Sequence, residues 1–229
     1  INLPFSTNAH VQHYEDLNRI EFDIYRNNKN IGKHIFSFKK IDERLIVESQ
    51  IDFVIKKFGV TFYKYHVKGV EIYENGKLIQ FNSKTDQNGK KKYVNLKLED
   101  ENEFIIDGSS YKGKAPLDYI LGTWWNHNIV DAKAQISAVS GRIIKQKVTF
   151  LGKETIKFGD KSYNTLHFNF SSTDNKLAKK KKLNTDVWYD EETLNWVKAS
   201  FKKKGITDPL EPVTFPYLIT ENFVLNFDE

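Results

Sequence analysis

The chain has 229 residues, a net charge of +5 and an apolar content of 39%, of which the aromatic residues alone make up 14% of the sequence. It has neither Cys nor Met, which excludes disulfides, thiolate metal sites and a cysteine nucleophile. The length suits one large all-β domain, able to bury roughly 70–75% of its unfolded surface. No apolar run approaches the ~20 residues of a membrane-spanning helix.

The opening stretch INLPFSTNAHVQ is expected to be the tail of a secretory signal, cut after Ala9. The competing reading is a frayed terminus. A chain lacking even an initiator Met is expected to be a fragment or a processed product. Export would place it outside the cytoplasm, in the periplasm of a Gram-negative cell.

From residue 18 onward, period-2 alternation dominates. Ile20, Phe22 and Ile24 share one face of the first run, and Leu45, Val47, Ile51, Phe53 and Ile55 one face of a later one. In GVTFYKYHVKGVEIY, Thr61, Tyr63, Tyr65 and Val67 oppose Val60, Phe62, Lys64 and His66. Asn27–Asn30, Asn75-Gly76, Asn88-Gly89, Asp107-Gly108, Ser140-Gly141 and Gly159-Asp160 punctuate the runs as turns. Asn-Gly accepts the positive φ of a type I′ turn, so two of these are firm hairpin signals. Ten to thirteen strands in an antiparallel meander follow.

Alternation fails in Ala115–Val130, APLDYILGTWWNHNIV. Pro116 suits a first helical turn, and Leu117, Ile120, Leu121 and Trp124 fall at helical spacing. The spacing predicts a short helical plug over Ala115–Asn128, with Trp124 on its inward stripe and Trp125 at its rim. Ser171–Asn184, carrying the run Lys179–Lys182, is expected to be an exposed loop. The tail from Gly205 is too aromatic to stay solvated, and is expected to pack on the domain, on a sheet edge or on a partner.

FDIYRNNKNIGKHIFSF, the two hairpins of IDFVIKKFGVTFYKYHVKGVEIYENGKLIQFNSKTDQNGK, then GTWWNHNIV, VTFLGKETI and DVWYDEETLNWVKASF together resemble an uncharacterised, secreted bacterial family of unknown function. The resemblance covers roughly residues 18–204. A looser likeness to the LolA/LolB-like periplasmic lipoprotein carriers implies a half-barrel over an apolar cavity. The resemblance implies no catalytic residues.

Motif chemistry is sparse. GxSxG, HExxH, P-loop and GxGxxG are all missing. His10 and His13 have chelating spacing without a third ligand, and His34 and His66 sit on adjacent expected strands. Asp118 reads as a helix-start carboxylate and Glu71 as a cross-strand partner of a lysine. Lysines alternating with aromatics read as a solvated face, so nucleic acid is not an expected partner.

The expected fold is mainly all-β, a strongly curved antiparallel sheet or incomplete barrel, with residues 1–17 as an arm, 18–204 as the domain and 205–229 as an extension. The expected function is non-catalytic binding of an apolar ligand, such as a lipid or acyl chain. Phe62, Tyr63, Tyr65, Tyr119, Ile120, Trp124 and Trp125 are expected to line its cavity. Two alternatives stand beside it: an interaction module with a filled core, whose tail pairs with a partner or a second copy, and an enzyme of unrecognised type. No cofactor or metal is expected. Lys179–Lys182 and Lys202–Lys204 are the expected contacts to an anionic membrane surface.

Overall fold

The computed structural model describes residues 17–100, 102–178, 182–201 and 213–216. The expected signal segment, His10 and His13, Lys179–Lys181, Lys202–Lys204 and most of the tail lie outside the described residues.

Among the described residues fifteen strands form one sheet. The first eight are β1 (Arg19–Arg26), β2 (Lys29–Ile41), β3 (Arg44–Lys57), β4 (Val60–Glu74), β5 (Lys77–Gln87), β6 (Lys90–Glu99), β7 (Glu103–Gly108) and β8 (Lys112–Pro116). The others are β9 (Ile120–Leu121), β10 (Ala134–Ile136), β11 (Ile143–Phe158), β12 (Lys161–Ser172), β13 (Asn184–Asp190), β14 (Trp196–Phe201) and β15 (Val213–Pro216). In space the order is β8-β7-β6-β5-β4-β3-β2-β1-β15-β14-β13-β12-β11-β10-β9. Sequence neighbours therefore pair as a meander on both sides of a join in which β15 bridges β1 and β14. The sheet is open, with β8 and β9 as its edges, and every pairing but that of β9 with β10 is antiparallel.

The alternation read from the sequence is the burial pattern of the strands. Ile20, Phe22, Ile24, Leu45, Val47, Phe53 and Ile55 are all buried. Because side chains on a strand point alternately to opposite faces, one register places all of them inside together. They pack across a core against Phe170, Val187, Tyr189, Trp196 and Ala199 of β12–β14. A second cluster joins Phe81, Val94, Leu96, Phe104 and Ile106 to Leu121 and Ile136. The sheet thus curls until β5–β8 meet β9 and β10.

The two halves approach closely where the Ser137–Arg142 turn lies on β7. Ser110 N–H donates to Ser140 O at 2.9 Å, and Ser83 Oγ donates to Ala138 O at 2.6 Å. A Cβ on Gly108 would stand 2.6 Å from Ser140 O, so only glycine permits that approach.

The segment expected to be a helical plug contains no α-helix. Pro116 ends β8, Ile120–Leu121 form β9 beside β10, and the only helical element is a 3-10 turn at His127–Val130. Leu117, the first residue of the expected apolar stripe, is exposed. Trp124 has φ +64°, which a right-handed helix cannot contain. So short a helix is marginal alone, and the backbone takes a strand partner instead: Gly122 N–H donates to Ile136 O at 2.9 Å. Asp118 is exposed and caps nothing. Buried Gln146 fixes the segment that follows, its amide donating to Ile129 O and Ala132 O at 3.0 Å each.

Candidate functional site

The strand β4 carries different chemistry on its two faces. Inward, Val67, Gly69, Glu71 and Tyr73 are buried. The Glu71 carboxylate is fully enclosed, and it accepts from Tyr73 Oη at 2.7 Å and from Trp125 Nε1 at 3.0 and 3.1 Å. Burial pushes its pKa up from 4.5 to about 7, against the opposing pull of the Tyr73, Trp125 and Thr123 hydrogen bonds. Glu71 is therefore no partner of a lysine; its register places it inside, opposite Phe81. His34 is also internal, packed on Phe36 at 4.4 Å between ring centres, and burial drives its pKa down to about 3. His66 lies on the opposite face of the sheet and bonds Asp52, so the two histidines do not meet.

Trp125 occupies the place expected to be open. It is fully buried, with Phe38 and Tyr73 edge-on at 5.5 and 5.4 Å. Trp124 is the half-buried member of the pair, 5.9 Å from Trp196, and its carbonyl accepts from Tyr189 Oη at 3.0 Å. The rim and interior roles are thus exchanged relative to the helical expectation. The positive φ at Trp124 turns the chain so that Trp125 reaches Glu71.

The other residues expected to line a cavity are dispersed. Tyr63 and Tyr65 stack on Phe53 at 6.0 and 5.0 Å, and with Ile120 and Trp124 they edge the first core cluster. Tyr119 packs on the second cluster. Phe62 faces solvent, 47% exposed.

The outward face of β4–β6 forms a groove of about 850 Å³. His66, Lys68, Val70, Asn82, Lys84, Asp86, Lys91, Tyr93 and Asn95 line it, all on the face away from the core, with Ser83, Thr85 and Lys92 at its margin. Register arranges these residues in rows. Lys68 stands opposite Lys84, and Lys84 opposite Tyr93; one row along, Asn82 faces both Val70 and Asn95. Like charges directly opposite on a sheet are unfavourable. Among the described residues no carboxylate pairs with Lys68 or Lys84. Asp86 at the groove's end is occupied by Lys91 and by the Gly89 N–H, which hold its carboxyl below the usual range. The lining is largely carbon: the lysine stems, Val70 and the Tyr93 ring. Alternation by itself predicts only that these lysines form a solvated stripe. Their juxtaposition depends on cross-strand register, which alternation alone does not specify.

A smaller concavity of about 300 Å³ adjoins this one and shares His66 and Asp86 with it. A separate outward cluster on β11–β14 holds His167 against Glu154 at 2.9 Å and stacked on Trp188 at 4.2 Å, with Lys198 4.3 Å from the Trp188 ring centre. It lines neither of these two concavities. Among the described residues no group of three or more His, Cys, Asp or Glu side chains is placed to hold a metal ion.

The family described as domain of unknown function DUF6134 matches residues 22–211, well over half of the chain. Comparison with curated proteins gives no match. Among solved structures, the chain is similar to a beta-barrel-like protein of the domain of unknown function DUF1849 from Brucella abortus. The two share 10% identity and a TM-score of 0.57, over 88% of this chain and 95% of that one. At that identity the likeness establishes a common fold and nothing about activity.

Proposed function

The chain belongs to the DUF6134 family, and on that footing we propose that it is a non-catalytic binding module whose ligand is an anionic amphiphile, held in the outward groove of β4–β6. The observation that carries this reading is the facing pair Lys68 and Lys84 over a carbon-rich lining. A sheet tolerates such a pair at a cost, and an anionic head group between the two ammonium groups would remove it. The lysine stems, Val70 and Tyr93 would take the first carbons of an acyl chain. The apolar-ligand reading made from the sequence is thereby moved from the interior, where Trp125 fills the space, to the outer face. A cell-envelope location is part of the proposal, supported by the signal-like opening INLPFSTNAHVQ. The looser likeness to the LolA/LolB carriers has no counterpart in the comparisons and supports no part of it.

The test is titration of the full chain with a fluorescent single-chain fatty acid and with its neutral methyl ester. The acid is expected to bind at one site and more tightly than the ester. The double variant Lys68→Glu/Lys84→Glu is expected to weaken it by about tenfold or more. Equal binding of acid and ester, or an unchanged double variant, would overturn the proposal.

A further inference from the structure

The tip of the β3–β4 hairpin departs from the chain's Asn-Gly hairpins. The turns at Asn75-Gly76 and Asn88-Gly89 place Asn at positive φ, 49° and 52°, before a glycine at 75° and 84°. The β3–β4 turn has the same geometry, φ 50° then 78°, but its first residue is Phe58. Asn tolerates that conformation, whereas a bulky residue there is strained. The strain gains little burial in return: Phe58 is 93% exposed, with the Lys57 ammonium 5.7 Å from its ring centre. Val60 beside it and Phe62, the residue that a β-bulge leaves unpaired in β4, are 70% and 47% exposed.

This tip stands clear of the sheet. The β3 ladder to β2 begins at Phe53, opposite Gly32, and the β4 ladder to β5 begins at Tyr65, opposite Gln87. Beyond a backbone bond from Asn88 N–H to Lys64 O, no strand among the described residues flanks the hairpin. At ~3.3 Å per residue it projects about 15 Å. The stack of Phe53, Tyr63 and Tyr65 braces its inner side. Exposed lysines surround it: Lys56 and Lys57 beside the tip, opposite Thr61 and Val60, Lys64 at the base, and Lys29 and Lys90 next to the neighbouring turns at the same end of the meander. Among the described residues none of these five forms an ion pair.

We propose that this hairpin is a membrane anchor: Phe58, Val60 and Phe62 enter the interfacial region of an anionic bilayer while the lysine collar meets its head groups. Apolar side chains at the tip of a narrow finger flanked by lysines match the order of acyl chains and anionic heads in a leaflet, the long lysine stems reaching back to the head groups. The lysine runs expected from sequence to meet the membrane are not needed, and the anchor stands whether or not the groove is occupied.

Flotation of the full chain with vesicles tests it, using phosphatidylcholine alone and phosphatidylcholine containing about one-third phosphatidylglycerol. The chain is expected to float with the anionic vesicles, and less so as salt rises. Phe58→Asn is expected to lower that binding by about tenfold or more while melting at the same or a higher temperature, which separates lost anchoring from lost folding. Phe62→Ser should weaken flotation in the same direction. Lys68→Glu/Lys84→Glu should still float, so the groove and the anchor fail separately. Absence of flotation, or a Phe58→Asn variant that floats like the parent, would overturn the proposal. So would oligomers that depend on Phe58 without any vesicle binding, since they would make the finger a protein contact.

Discussion

The two faces of β4 solve opposite electrostatic problems. On the inner face, Glu71 is a carboxylate enclosed without a cation, stabilised by neutral donors from Tyr73 and Trp125. On the outer face, Lys68 and Lys84 are cations facing one another with no anion among the described residues. The inner arrangement is complete within the chain, because an unsatisfied charge in a low dielectric is costly. The outer one is incomplete, and water lowers the penalty for leaving it so. The binding role proposed above therefore sits on the outer face, and the inner face is core.

The strongest way to break this contrast is at its inner side. Trp125→Ala would leave a cavity between Phe38 and Tyr73 and remove the indole donor from Glu71. A loss of about 3–5 kcal/mol in urea unfolding is expected, with the groove's ligand affinity unchanged in whatever fraction stays folded.

Glu71 supplies a pH signature. Its folded pKa is raised to about 7 while its unfolded value is near 4.5, so the native state holds the proton more tightly. Stability linked to this group is full below about pH 4.5 and is lost as pH rises to about 7, an effect of up to about 3 kcal/mol. Glu71→Gln should flatten that slope: near-equal to the parent at pH 4 and more stable at pH 8. Unfolding curves at several pH values measure it, and a parent whose stability rises over that window would refute it.

Smaller effects sharpen the outer side. Phe58→Asn should stabilise the fold by about 1 kcal/mol by relieving backbone strain at the hairpin tip, read as a raised Tm. Lys84→Thr should add about 0.5 kcal/mol by removing the facing like charge, and should weaken the anionic ligand at the same time. Stability and binding moving in opposite directions would mark residues kept for function.

The comparison extends to what could be read in advance. Phe58, Val60 and Phe62 are plain in the sequence as part of an alternating run, yet the run does not say that β2 and β5 stop short of them. The aromatics of Phe53, Tyr63 and Tyr65 were legible as one inner face. Trp124 and Trp125 were legible as a place where alternation stops, and the helical spacing around them pointed the wrong way. The backbone there was decided by a parallel contact with β10, fourteen or more residues along the chain. The β15 segment also acquires its place, between β1 and β14, only in three dimensions.

The sequence by itself determined most of the strands, most of the hairpin turns and the buried faces of β1 and β3. Those properties are local: a period of two sets the face, and Asn-Gly sets the turn. Only the tertiary structure decided that Trp125 closes over Glu71, that Lys68 meets Lys84, and that the β3–β4 tip stands free of its neighbours. Each of these depends on register and on where strands end, which arise from pairing between segments distant in the chain.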